Sequence, residues 1–137
     1  MLSDDPSSLF IQTLKQIERN GDPSALVELF REDSVIDSPA QGRQLAGKDG
    51  ARRYWTDYLH AFCRIESEVR QALEFGDIAV FEWRSSAILR TGRSIDYQGV
   101  SVVEFRDHKI KRFATYYDAA AFATDTRQEL VQLGHVA

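Results

Sequence analysis

Apolar residues recur every three or four positions in the first half of the chain and every second position through much of the rest. Phe10, Leu14 and Ile17 fall on one helical face, since 3.6 residues per turn bring these positions together. Asp5-Pro6 opens that helix, an N-cap beside a proline whose missing N–H costs nothing there, and Asn20-Gly21 closes it. Asp22-Pro23 repeats the opening signal, and Leu26, Leu29 and Phe30 predict a short second helix. Residues 34–37 read as a short extended piece ended by Pro39, and residues 39–50, with Gly42, Gly47 and Gly50, read as a loop. A third helix then carries Ala51, Tyr54, Trp55, Tyr58 and Phe62 on one broad face, with Arg52, Arg53 and Asp57 on the other.

The period then changes to two. Ile65, Ser67, Val69, Gln71, Leu73 and Phe75 alternate with Glu66, Glu68, Arg70, Ala72 and Glu74, which predicts a half-buried strand with the first set inward. Gly76-Asp77 turns the chain into residues 78–90, where Ala79, Phe81, Trp83, Ala87 and Leu89 share a side opposite Glu82, Arg84 and Ser86. Thr91-Gly92 and Asp107-His108 separate two further strands over residues 95–106 and 110–118. Residues 119–123 and 127–133 read as short helical pieces. Helices first and a meander afterwards predict an α+β fold, with three N-terminal helices packed on a curved antiparallel sheet. Runs longer than the usual ~5–6 residues must twist and curl. Helices laid in the concave face then make a cone, and a cone that its side chains do not fill keeps a pocket.

Composition narrows the class. The 137 residues fit one domain, residues 1–137, and 43% hydrophobic with 28% charged residues is a globular balance. A net charge of -4 without a basic stripe argues against nucleic acid as a partner, and no apolar run is long enough to span a membrane. Cys63 is the one cysteine and reads as a buried spacer in a reducing, cytoplasmic compartment. Residues 1–5 lack the basic and apolar regions of a secretory leader. His60, His108 and His135 lack metal-ligand spacing, so no metal site is predicted, and no phosphate-binding Gly-Lys-Ser/Thr stands near Gly47 or Gly50.

Several stretches in this order resemble one family. ALVELFREDSVIDSP (residues 25–39) is similar to a second helix running into a first strand, and Gly47-Lys48-Asp49-Gly50-Ala51 with Tyr54-Trp55 to the opening of a third helix. GVSVVEFRDHKI (residues 99–110) is similar to a penultimate hairpin, Tyr116-Tyr117-Asp118 to the end of a last strand, and Gln132-Leu133-Gly134 to a cyclase tail. Together they resemble the SnoaL-like branch of the NTF2-like superfamily. The resemblance implies a conical, cystatin-like α+β barrel and a deep pocket for a small apolar organic ligand. It also implies a homodimer through the outer sheet face, here the polar positions Glu82, Arg84, Ser86 and their neighbours. It implies no single activity, since isomerases, cyclases, dehydratases, epoxide hydrolases and non-catalytic binding modules share the fold.

The same resemblance yields candidate residues. Asp118 is similar to the last-strand aspartate that does acid–base work in the cyclases, and Asp37 is the second candidate; the bland alternatives are a helix cap and a turn former. Of the isomerase groups, Leu14 stands at the tyrosine, Ser101 at the acid, and either Asp37 or Ser38 at the base, so steroid isomerisation is not expected. The epoxide-hydrolase pair would need Arg93 and Asp96 on one face, which a period of two forbids unless a bulge intervenes. Tyr54, Tyr58, Trp83, Tyr97, Ser101 and Tyr116 are the candidate ligand contacts, with Tyr117 the alternative to Tyr116. Any catalysis expected here is acid–base chemistry without a cofactor. An enzyme would show a closed pocket of roughly 300 Å³ or more with at least one desolvated carboxylate at its base, and a binding module a filled cone with Asp118 only capping a helix.

Overall fold

The structure is a computed structural model that describes residues 5–123. The helical piece expected over residues 127–133, the stretch Gln132-Leu133-Gly134 and His135 lie outside the described residues. Helix α1 spans Pro6–Asn20. The Asp5 carboxylate accepts from the Ser8 N–H at 3.4 Å, and Gly21, at φ 74°, returns its N–H to the Ile17 carbonyl at 2.8 Å. Both end signals in the sequence therefore act as read.

Helix α2 is only Ser24–Val27, and Phe30 opens strand β1, Phe30–Ser38, instead of continuing the helix. Helical spacing lost to tertiary pairing. The Leu29 carbonyl accepts from the Ile110 N–H at 2.7 Å, and Phe30 lies beside Ile110. A 3-10 turn at Pro39–Gln41 and Gly42, at φ 64°, fold strand β2, Arg43–Ala46, back onto β1. The glycine content that read as a loop thus hides a short strand. Helix α3 is Gly47–His60.

Strands β3 (Phe62–Phe75), β4 (Ile78–Leu89), β5 (Ser94–Arg106) and β6 (Lys109–Tyr117) form the expected antiparallel meander. Asp107 and His108, at φ 54° and 67°, turn β5 into β6 with the left-handed pair that a tight hairpin requires. The whole sheet has six strands in the order β2-β1-β6-β5-β4-β3. Since β1 runs parallel to β6, the sheet is mixed and not antiparallel throughout, and its two edges stay apart. The result is an α+β fold, a curved, unclosed sheet with three helices.

Two irregularities in β3 correct the sequence reading. At Phe62/Arg64 the register shifts by one residue, which leaves Cys63 and Arg64 both exposed, so Cys63 is not a buried spacer. A second shift at Val69/Gln71 exchanges the faces beyond it. Leu73 and Phe75, expected inward, are 56% and 85% exposed on the outer face, paired with Val80 and Ile78. The core lies between α1, α3 and the inner face, where Phe10 stacks on Phe81 at 5.5 Å between ring centroids. Among the described residues no helix is long and apolar enough to cross a membrane.

Candidate functional site

The packing of α1 and α3 over the inner face leaves a cavity of about 230 Å³. Phe10 and Leu14 reach it from α1, and Tyr54, Trp55 and Tyr58 from α3. The sheet supplies Phe81, Trp83, Tyr97, Phe113 and Tyr117. Alternation alone brings the sheet residues to one face, because Trp83 pairs across β5 with Gly99 and then with Tyr117 of β6, while Ser85 pairs with Tyr97. Gly99 is there for space. A Cβ at that position would collide with the Trp83 ring and with the Tyr116 carbonyl oxygen. The indole can therefore lie across β5 and donate from Nε1 to Ser101 Oγ at 2.9 Å, and Ser101 also bonds Thr115 Oγ1 at 2.9 Å.

A second polar group closes the α1–β3 side. Glu18 follows Phe10 and Leu14 on the same i, i+4 stripe of α1. Its carboxylate accepts three hydrogen bonds: from the Tyr58 hydroxyl at 2.6 Å, the Ser67 hydroxyl at 2.6 Å and the Ser67 N–H at 2.8 Å. Ser67 Oγ continues to Ser85 Oγ at 2.7 Å, and the Tyr97 hydroxyl lies against Ser85. Burial pushes the Glu18 carboxyl above its usual value, against the hydrogen bonds from Ser67 and Tyr58 and the charge of Lys15. Burial also raises the phenols of Tyr54, Tyr58, Tyr97 and Tyr117, so each enters the cavity as a neutral hydroxyl.

Of the candidate contacts, Tyr54, Tyr58, Trp83, Tyr97 and Ser101 all line the cavity. Tyr116 does not; it is 44% exposed on the outer face, and Tyr117 takes the inward position. The two candidate catalytic carboxylates lie elsewhere. Asp118 accepts from the Ala120 N–H at 2.9 Å and caps the 3-10 turn Ala119–Phe122, beside Arg84 and Asp96 in a separate open groove. Asp37 points away from the cavity toward Arg112, at 3.6 Å. Ser38 is the inward residue, fully buried, its hydroxyl close to the phenols of Tyr54 and Tyr117 without a hydrogen bond of good geometry. Arg93 and Asp96 stay apart as well. β4 and β5 pair without a bulge, Arg93 donates to the Phe122 carbonyl at 2.6 Å, and Asp96 accepts from Ser86. Asp57 is the carboxylate that touches the cavity among the described residues, and it is exposed and paired with Arg43 at 3.1 Å.

Glu18 was not among the candidates from sequence. The signal was there, a charged side chain one turn beyond Leu14 on an otherwise apolar face.

A mixed curved sheet, three helices and a hollow between them define an NTF2-like protein, and solved structures agree. A hypothetical protein with a ketosteroid isomerase-like fold from Catenulispora acidiphila, in complex with trimethylamine, is similar over 91% of this chain and 92% of its own, at 16% identity and a TM-score of 0.75. An NTF2-like protein from Anabaena variabilis covers 84% of this chain and 90% of its own at 18% identity and 0.76. TerC, co-crystallised with polyporic acid, covers 85% and 95% at 19% identity and 0.74. At these identities the likeness is one of fold. Residues 11–113 match the SnoaL-like domain family, and the chain belongs to it. No curated protein matches the sequence.

Proposed function

We propose that the chain works as a single domain that binds a small, flat, mainly apolar organic molecule in the conical hollow between its helices and its sheet. The observation that carries this reading is the cavity of about 230 Å³, walled by aromatic rings and edged by hydroxyls. Rings with one polar handle suit a planar ligand with few oxygens. Trimethylamine and polyporic acid were found with two proteins of the same fold, which supports a small-molecule role. Tyr54, Tyr58, Trp83, Tyr97, Ser101 and Tyr117 are the proposed contacts. Asp118 and Asp37 are given no part, because neither touches the cavity. The single cysteine fits a reducing, cytoplasmic setting. Trp55 and Trp83 both line the hollow, so naphthol should quench tryptophan fluorescence saturably, and Ser101→Phe should abolish the quenching. Undiminished quenching in a folded Ser101→Phe variant would refute the reading.

A second reading, a homodimer through the outer face, is favoured by one observation. Leu73, Val80, Val102 and Ala114 make a continuous apolar row across β3, β4, β5 and β6. Phe75 and Ile78 flank it on one side, Val100 and Tyr116 on the other, all four exposed. Such patches are rare on lone monomers. The proposed interface is therefore apolar, in place of the polar positions around Glu82, Arg84 and Ser86. Light scattering should give the mass of two chains, and that of one for Phe75→Glu; a single-chain mass for the unmodified protein would end this reading.

A further inference from the structure

The hydroxyl chain that ends on Glu18 has a direction. An ionised carboxylate can only accept, so Ser67 and Tyr58 spend their protons on it. With its own proton committed, Ser67 Oγ must accept from Ser85 across the 2.7 Å contact. Every proton then points toward Glu18, and the hydroxyl oxygens of Ser85 and Tyr58, both on the cavity wall, turn their lone pairs outward. If Glu18 carries a proton, the order reverses. The Ser67 N–H holds Oε1 as an acceptor, so the acid's O–H sits on Oε2 and donates to Ser67. Ser67 then donates to Ser85, and the Ser85 proton is free to face Tyr97 and the cavity.

We propose that Glu18 is a positioning residue that sets the hydrogen-bonding sense of the cavity. Ionised, it makes the wall at Ser85 and Tyr58 an acceptor for a phenol or enol hydroxyl. Neutral, it makes the wall at Ser85 a donor to a carbonyl or ether oxygen, while the Tyr58 hydroxyl still donates to Glu18. The inference rests on ligand binding in the cavity and adds which oxygen the cavity selects. The groups facing Glu18 are few. Lys15 comes from its own helix, with Nζ 3.3 Å from the Ser67 carbonyl, Tyr58 from α3 and Tyr97 from β5. β3 faces it with uncharged Ser67, its Glu66 and Glu68 being exposed on the other side. Burial raises the Glu18 carboxyl, which brings the switch closer to neutral pH.

The test uses naphthol and its methyl ether, probes with one ring system that differ in a donor and a methyl group and that stay un-ionised from acid to neutral pH; the pH series and the Ser85 variant separate the donor from the methyl. By calorimetry the wild type at neutral pH should bind naphthol roughly tenfold more tightly, the worth of one good hydrogen bond. That preference should fade as the pH falls through the Glu18 titration. In Glu18→Gln the Ser67 N–H keeps the amide oxygen at the Oε1 place and the –NH2 toward Ser67. The variant should therefore lack the preference at every pH. Ser85→Ala, which breaks the chain and leaves the carboxylate alone, should lack it too. Equal binding of the two probes by the wild type, or a tenfold preference that ignores both pH and the Ser85 change, would overturn the assignment and leave the cavity reading standing. Failure of both probes to bind would take both down.

Discussion

The α1–β3 contact and the far end of β6 each present a carboxylate beside tyrosines, and they use it differently. At the first, Glu18 is half-buried and gathers three hydrogen bonds from two strongly held partners, Tyr58 and Ser67. At the second, Asp118 is exposed, accepts one backbone N–H and holds a short 3-10 turn in place. The residue that resembles a catalytic aspartate is a cap, and the residue no motif pointed to is the one that burial has perturbed. Environment decides what a carboxyl group does, and position in a motif supplies only the chance.

The largest separation should come from removing each carboxylate. Glu18→Ala leaves two hydroxyls and an N–H without acceptors in a partly dry setting, and should cost about 3 kcal/mol in urea denaturation. A cost below that of Asp118→Ala would break the comparison.

A pH series sharpens it. Because burial raises the Glu18 value above 4.5 in the folded protein, the folded state holds that proton more tightly than the unfolded chain. Stability contributed by this group therefore rises as the pH falls through the folded value toward 4.5, and is lower above that window. The difference in unfolding free energy between wild type and Glu18→Gln should show this slope, and a flat difference would deny the desolvation.

The smallest effect belongs to Asp118→Ala, about 0.5–1 kcal/mol for one exposed cap. Loss of naphthol binding in that variant would mean that the end of β6 reaches the cavity after all.

Much of this was legible in the chain. The α1 stripe of Phe10, Leu14 and Ile17, the aromatic face of α3 and the inward set of β4 follow from periods of 3.6 and 2, which local sequence carries. What failed was non-local. Nothing near Phe30 announces that Ile110, eighty positions on, will claim it as a strand partner, and the glycines around β2 look the same in a loop or a turn. Each bulge in β3 adds one unpaired residue; the second puts Leu73 and Phe75 on the face opposite to the one strict alternation predicts, and the first leaves Cys63 exposed where the sequence reads as a buried spacer. The same uncertainty of one residue left Asp37 against Ser38 and Tyr116 against Tyr117 open, and in both pairs the second residue points inward.

The parallel seat of β1 beside β6 also dictates an order of assembly. β1 is synthesised well before β6, and until then β2 is its one strand neighbour in the sheet, with α3 packed against it. Closing so long a stretch of chain is entropically late work. Phe10, Phe30 and Trp55 all pack against Phe113 of β6, so their cover is incomplete until that strand arrives, and the hollow exists only once it has been delivered.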